Sequence, residues 1–202
     1  MIRTLALAGL LAFASFGSIA ATQGASKPAT PAAANADGTY GIDDVHSSAF
    51  FRVLHAGAGQ FWGRINDVSG SMTFDAAGAP TAFDISVAVD TVDTGNAKLD
   101  GHLKSPDFFN SKEFPAMTFK SKSVRKTGDL YEVAGDLSMH GVIKPITAKI
   151  EVTGISNMMG SRAGVEATFS LKRSEFGMSY GLDKGSIGDE VRVLVNLEGV
   201  KK

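Results

Sequence analysis

From residue 39 to residue 200, apolar and polar residues alternate with a period of two in one segment after another. That is the mark of strands with one buried face. A short strand is predicted at 39–43. Residues 48–56 place Ala49, Phe51, Val53 and His55 on one face and Phe50, Arg52 and Leu54 on the other. Residues 60–75 read as one long run, with bends expected at Gly63 and Gly70 and with Met72 and Phe74 facing alike. In 83–93, Phe83, Ile85, Val87 and Val89 alternate with Asp84, Ser86, Ala88 and Asp90. Met117, Phe119 and Ser121 share a face, as do Tyr131, Val133, Leu137 and Met139 in 130–140. The same holds for Ile146, Ala148, Ile150 and Val152 in 143–154 and for Val165, Ala167, Phe169 and Leu171 in 164–173. Val191, Val193, Val195 and Leu197 close the series in 190–200.

Glycine-containing or polar turns separate these runs. Several strands are about ten residues long, roughly 33 Å at strand rise. Long antiparallel meanders hide their edges by closing into a barrel or by pairing as a sandwich. The strand length, and the one helix left over to seal an end, favour an all-β fold: a single eight-stranded antiparallel barrel.

The alternation stops between Leu99 and Phe119. Residues 96–104 read as a short helix whose Leu99 and Leu103, four apart, face the barrel. Ser105-Pro106, Phe108-Phe109 and Phe114-Pro115 follow. Phenylalanines between prolines, in a segment too short for its own core, must be buried against the sheet. This helix and loop form a plug, a lid or a floor for a cavity. A second break, at 176–188, holds Gly177, Gly181, Gly185 and Gly188 and has no strand pattern. It is expected to be a mobile entrance with Phe176, Met178 and Tyr180 at its mouth.

The inward faces set large residues beside small ones such as Ala49, Gly135, Ala148 and Ala167. Such a set either fills the barrel or shapes a tunnel, and the alternation does not choose between them. The lining expected of a tunnel is Phe51, Val53, His55, Met72, Phe74, Ile85, Val87, Phe108, Phe109, Met117, Phe119, Leu137, Met139, Phe169, Leu171, Phe176 and Met178.

Composition adds an address. Arg3, the apolar run 5–16 and Ser18-Ile19-Ala20 form an export signal over residues 1–21, cleaved after Ala20 or Ala21. Its apolar run falls short of the about 20 residues of a membrane-spanning helix. Residues 22–38, rich in Ala, Pro, Thr and Gly, are expected to be a disordered leader, and 39–202 the barrel domain. The mature protein is therefore expected in the periplasm. Without cysteine there is no disulfide, thiolate metal site or cysteine lipid anchor. After cleavage the net charge is −2, from 19 basic and 21 acidic residues, which attracts neither nucleic acid nor an anionic membrane.

The chemistry on offer is sparse. His46, His55, His102 and His140 have no metal-motif spacing, so no metal is expected. His46 follows Asp43-Asp44 at a strand start, where a turn or cap role is expected. No serine is expected at a sharp strand-to-helix turn, and the adjacent acids Asp43/Asp44 and Asp189/Glu190 fall in loops. The expectation is binding without catalysis. An enzyme acting on a lipid would need ionisable residues inside; a filled barrel would instead be a partner-binding module.

Several stretches carry a resemblance: Asp43-Asp44-Val45-His46-Ser47; the strand ending at His55; Leu99-Asp100-Gly101-His102-Leu103-Lys104-Ser105-Pro106-Asp107-Phe108-Phe109; Phe114-Pro115-Ala116-Met117-Thr118-Phe119; Leu137-Ser138-Met139-His140-Gly141-Val142-Ile143-Lys144-Pro145-Ile146; and Lys172-Arg173-Ser174-Glu175-Phe176-Gly177. In this order they resemble the signatures of YceI-like polyisoprenoid-binding proteins. The resemblance implies an extended lipocalin-like barrel whose apolar interior takes a polyprenyl or quinone tail, with no cofactor and no established reaction. Some relatives occur beside cytochrome b561-type membrane proteins, which implies a redox-linked partner of that type. Phe50 and Leu54 on the outer face mark where a homodimer would pair.

Overall fold

The structure, a computed structural model, describes residues 36–202. The expected signal, 1–21, and leader residues 22–35 lie outside the described residues. Ala36 is already buried and accepts a hydrogen bond from the Tyr40 hydroxyl, so packing begins ahead of the first strand.

The strands are β1 (Gly38–Ile42), β2 (Ser48–His55), β3 (Gly59–Ile65), β4 (Val68–Phe74), β5 (Pro80–Ala88) and β6 (Val92–Asp93). The helix α1 (Ala97–Leu103) follows, then β7 (Ala116–Thr127), β8 (Leu130–Met139), β9 (Val142–Ser156), β10 (Arg162–Lys172) and β11 (Ile187–Lys201). All pairings between these strands are antiparallel. The order β1-β4-β5-β7-β8-β9-β10-β11 returns to β1 and closes an eight-stranded barrel. β11 is 15 residues long. It pairs with β1 through Gly199–Lys201 and with β2 through Ile187–Asn196. β2, β3 and β6 thus prolong three staves beyond the closed ring.

The breaks within those staves fall at polar positions. The long run expected over 60–75 divides at Asn66-Asp67, not at Gly63. There the Thr91 hydroxyl accepts from both backbone N–H groups, at 3.2 and 3.0 Å. Gly63 lies inside β3 opposite Phe51, and a Cβ there would run into the Phe51 ring. Its small size makes room for a ring in the wall; it does not bend the chain.

At one end the inward faces fill the barrel. Tyr40, Val68, Met72, Phe74, Val133 and Val165 are almost wholly buried, with the Tyr40 and Phe74 rings edge to face at 5.5 Å. Burial of each such side chain contributes about 1.5–3 kcal/mol gross. At the other end β5 parts from β7 beyond Ala88↔Ala116, and β6 pairs with β3. Residues 94–115 close the resulting seam. Asn96 caps α1 by accepting from the N–H groups of Lys98 and Leu99. Leu103 and Phe108 are buried against Ile65 and Val92, with Leu99, Phe109 and Met117 packed around them.

The β8–β9 hairpin turns through His140 and Gly141 alone, at φ 52° and 74°. Two-residue hairpins require positive φ at both positions. His140 is held in that conformation by its Nδ1–H, which donates to the Phe176 carbonyl at 2.9 Å, and by the Phe114 ring 5.0 Å away.

Candidate functional site

Beyond the filled end the barrel is hollow, with a cavity of about 180 Å³ open to the centre of a water molecule. On that measure one water needs about 10–15 Å³. The walls draw on every stave and on the plug. Phe51 and Val53 come from β2, Ile85 and Val87 from β5, and Met117 and Phe119 from β7. Leu137 and Met139 come from β8, Phe169 and Leu171 from β10, Phe108 and Phe109 from the plug, and Met178 from the loop after β10.

Four residues expected in that wall stand elsewhere. Met72 and Phe74 do face inward, but β4 lies in the closed end, where they are packed solid. His55 is exposed at the tip of β2, past the cavity. Phe176 is buried against Leu137, Met139 and Met178 instead of standing at the mouth. The single helical turn at Arg173–Phe176 carries it under the β8–β9 hairpin.

Further wall residues were not chosen from the pattern: Ile65, Phe83, Ile146, Ile187, Val191, Val193, Val195 and Arg173 among them. Phe83, Ile146, Val191, Val193 and Val195 lie on strand faces that the alternation predicts to point inward, so periodicity signals them. Arg173 continues the inward phase of Phe169 and Leu171, and only its charge argued against the inside.

The plug meets the loop after β10 through ring contacts. His102, Phe108 and Tyr180 form a ring cluster with centroids 5.0–5.2 Å apart, and His102 Nε2–H donates to Asp107 at 2.9 Å. The loop expected to be mobile is tied to Arg173. Its Nε–H donates to the Gly188 carbonyl at 2.8 Å, and Nη1 and Nη2 donate to those of Met178 and Ile187 at 3.0 Å each. Burial lowers the guanidinium pKa, and the charge of Asp189 opposes that shift.

The wall offers no nucleophile with a base beside it. Among the described residues Arg173 is the one ionisable residue of the wall, and its guanidinium is bonded to loop carbonyls. Such a space can hold an apolar chain.

A second polar cluster sits where β1, β10 and β11 meet. Arg162 Nη1 donates to Asp43 at 2.8 Å and to Glu198 at 2.5 Å, while His46 Nδ1–H donates to Asp43 at 3.0 Å. Asp43, His46 and Glu198 lie close enough together to hold a cation, but the Arg162 guanidinium already bonds both carboxylates. The Arg162 bond, then His46, holds the Asp43 carboxyl at about 2. A lowered folded pKa stabilises the fold above the unfolded value and is lost as pH falls through the folded one. Asp43→Asn should therefore lower the urea midpoint at neutral pH. The gap to the wild type should shrink between pH 3.8 and about 2, as measured by urea titrations across that range.

The comparisons agree with this geometry. The YceI-like domain family matches residues 40–199. A UPF0312 protein of Pseudomonas paraeruginosa is 39% identical over 169 residues, 81% of this chain and 87% of its own length. One from Yersinia pestis is 39% identical over 168 residues, 80% of this chain and 86% of its own. Among solved structures, Burkholderia cenocepacia BcnA has a TM-score of 0.70 at 22% identity, covering 78% of this chain and 98% of its own. The Campylobacter jejuni YCEI protein has a TM-score of 0.67 at 26% identity, covering 74% and 90%. A polyisoprenoid binding domain from Saccharophagus degradans has a TM-score of 0.65 at 17% identity, covering 84% and 100%.

Proposed function

The chain belongs to the YceI-like family, and from that premise we propose that it binds and carries one long-chain isoprenoid amphiphile, a polyprenyl or quinone lipid, without chemically altering it. The observation that carries this reading is the apolar cavity between the filled end and the plug. The name of the Saccharophagus degradans neighbour supports the ligand class. Energetics support the tail as the source of affinity. Each five-carbon unit buries apolar surface worth about 3–4 kcal/mol gross. A few such units outweigh ordering costs of about 4–15 kcal/mol. A tail longer than the cavity folds back or protrudes at the mouth.

The export signal read over residues 1–21 supports a periplasmic carrier. On the family resemblance alone, we propose a redox-linked membrane partner of the cytochrome b561 type. Catalysis would call for a cluster of ionisable groups facing the ligand, and the wall supplies one arginine.

The test is mass spectrometry of the organic extract from protein exported in its native envelope and purified without detergent. The expected result is one dominant isoprenoid amphiphile in about equimolar amount. Repeated recovery of protein with no amphiphile, and no uptake of added polyprenol or ubiquinone, would reject the reading.

A further inference from the structure

We propose that the ligand enters and leaves the barrel sideways, through a seam between β9 and β10 that the ring of Phe169 gates. The inference rests on the carriage reading above and adds the route the amphiphile takes.

The β9–β10 ladder runs from Arg162↔Ser156 to Thr168↔Lys149 and stops there. Both strands go on. β9 stays paired with β8 as far as Met139↔Val142, and β10 stays paired with β11 as far as Lys172↔Glu190. Among the described residues no strand pairing joins 142–148 to 169–172, so the wall there is held from either side but not across. The sequence suits that arrangement. Pro145 lies in the unpaired stretch of β9, and proline, lacking an N–H, is confined within sheets to strands with a free edge, to strand starts or to bulges. Beyond the seam the β8–β9 hairpin is tied to the loop after β10 by the bond from His140 to the Phe176 carbonyl, which makes the opening a bounded window.

Side chains cover the window. Ile146, Phe169 and Leu171 are partly buried and pack against the Leu137, Met139 and Phe176 cluster. Phe169 borders two spaces: the cavity inside, and outside it a groove lined by Thr147, Lys149, Thr168, Ser170 and Arg192. One ring thus stands between an apolar interior and a polar rim. Turning a partly exposed side chain is a fast, local motion, whereas parting paired strands breaks ladder hydrogen bonds. The rim also suits an amphiphile. Its polar head stays among water, hydroxyls and charged side chains while the tail passes, so no head group has to cross the apolar wall. Two other ways in are barred. Where β5 parts from β7, Leu103 and Phe108 are buried in the breach, and the loop after β10 is held by the three carbonyl bonds of Arg173.

The chain has no cysteine, so a pair introduced across the seam can be linked selectively. Thr147→Cys with Ser170→Cys, both on the groove and off the cavity wall, is joined by a short bis-maleimide. Stopped-flow fluorescence then follows anthraniloyl-farnesol entering and leaving the delipidated protein. Linking should slow both rates by about tenfold or more and leave affinity unchanged, because a barrier on the route acts on both directions alike. Phe169→Ala should raise the association rate, which loss of a wall contact alone would not do. Unchanged rates in the linked protein would overturn the seam, most directly if a link between Asp107→Cys and Tyr180→Cys, joining the plug to the loop after β10, slowed exchange in its place. Weaker binding with unaltered association would also overturn it, since the link would then act on the wall and not on the route. Absence of uptake by the wild type and the unlinked variant alike would reject carriage itself, and the portal with it.

Discussion

Phe119→Asp is expected to abolish ligand retention and to lower stability by about 3–5 kcal/mol. Phe119 sits on β7 between Ile85 of β5 and Leu137 of β8. Its ring packs both against the filled core and against the Leu137, Met139 and Phe176 cluster, so it joins the two. Gly135 makes room for it: a Cβ there would lie 2.6 Å from the Phe119 ring. A carboxylate at this position would face apolar walls with no cation opposite it on the neighbouring strands. Either it is buried unpaired or it draws water into the cavity, and both outcomes disfavour an isoprenoid tail. Urea unfolding followed by circular dichroism measures the stability term, and extraction of the envelope-derived variant measures retention. Phe119→Leu, which keeps the apolar surface, should lose less than half as much stability and still carry lipid. Undiminished retention in Phe119→Asp would show that the ligand does not meet this face.

The sequence told which side of each strand faces in, and much less about how far along the barrel each residue stands. On β10 the alternation assigned Val165, Ala167, Phe169 and Leu171 inward, and all four are. It could not reveal that Val165 belongs to the filled end and Phe169 to the hollow one. That height is set by pairings distant in sequence, such as Tyr40 with Met72 and with Lys201, which also place Met72 and Phe74 below the cavity. Periodicity also loses meaning where an element ends. His55 is in phase with Val53 yet projects beyond the wall, and Phe176 is redirected by a helical turn. The helix was legible because its signals are local: Asn96 as cap, with Leu99 and Leu103 on one face. Arg173 was hidden by residue type, since a charged side chain at a strand end reads as surface unless its phase is weighed above its charge.

Ala167→Phe should empty the cavity without unfolding the barrel, which separates binding from stability. Ala167 pairs with Ile150 and Val195, and it lies between the packed Val165 below and the cavity-lining Phe169 above. A ring added at this point extends into open space, so the strain of overpacking, about 1–3 kcal/mol in a filled core, should largely be avoided. Apolar surface gained against neighbouring walls offsets what strain remains, and the melting temperature should move by only a few degrees, roughly the effect of 1 kcal/mol or less. Retention should nevertheless fall about tenfold or more, because the ring takes the floor toward which the tail points. Val165→Phe, one inward position nearer the closed end, should do the reverse: it has no space to enter and destabilises the fold before it excludes any ligand. Parallel melting curves and extract mass spectra of the two variants check the pair. A full lipid load in Ala167→Phe would place the end of the tail above this level and confine the ligand to the space between Phe169 and the plug.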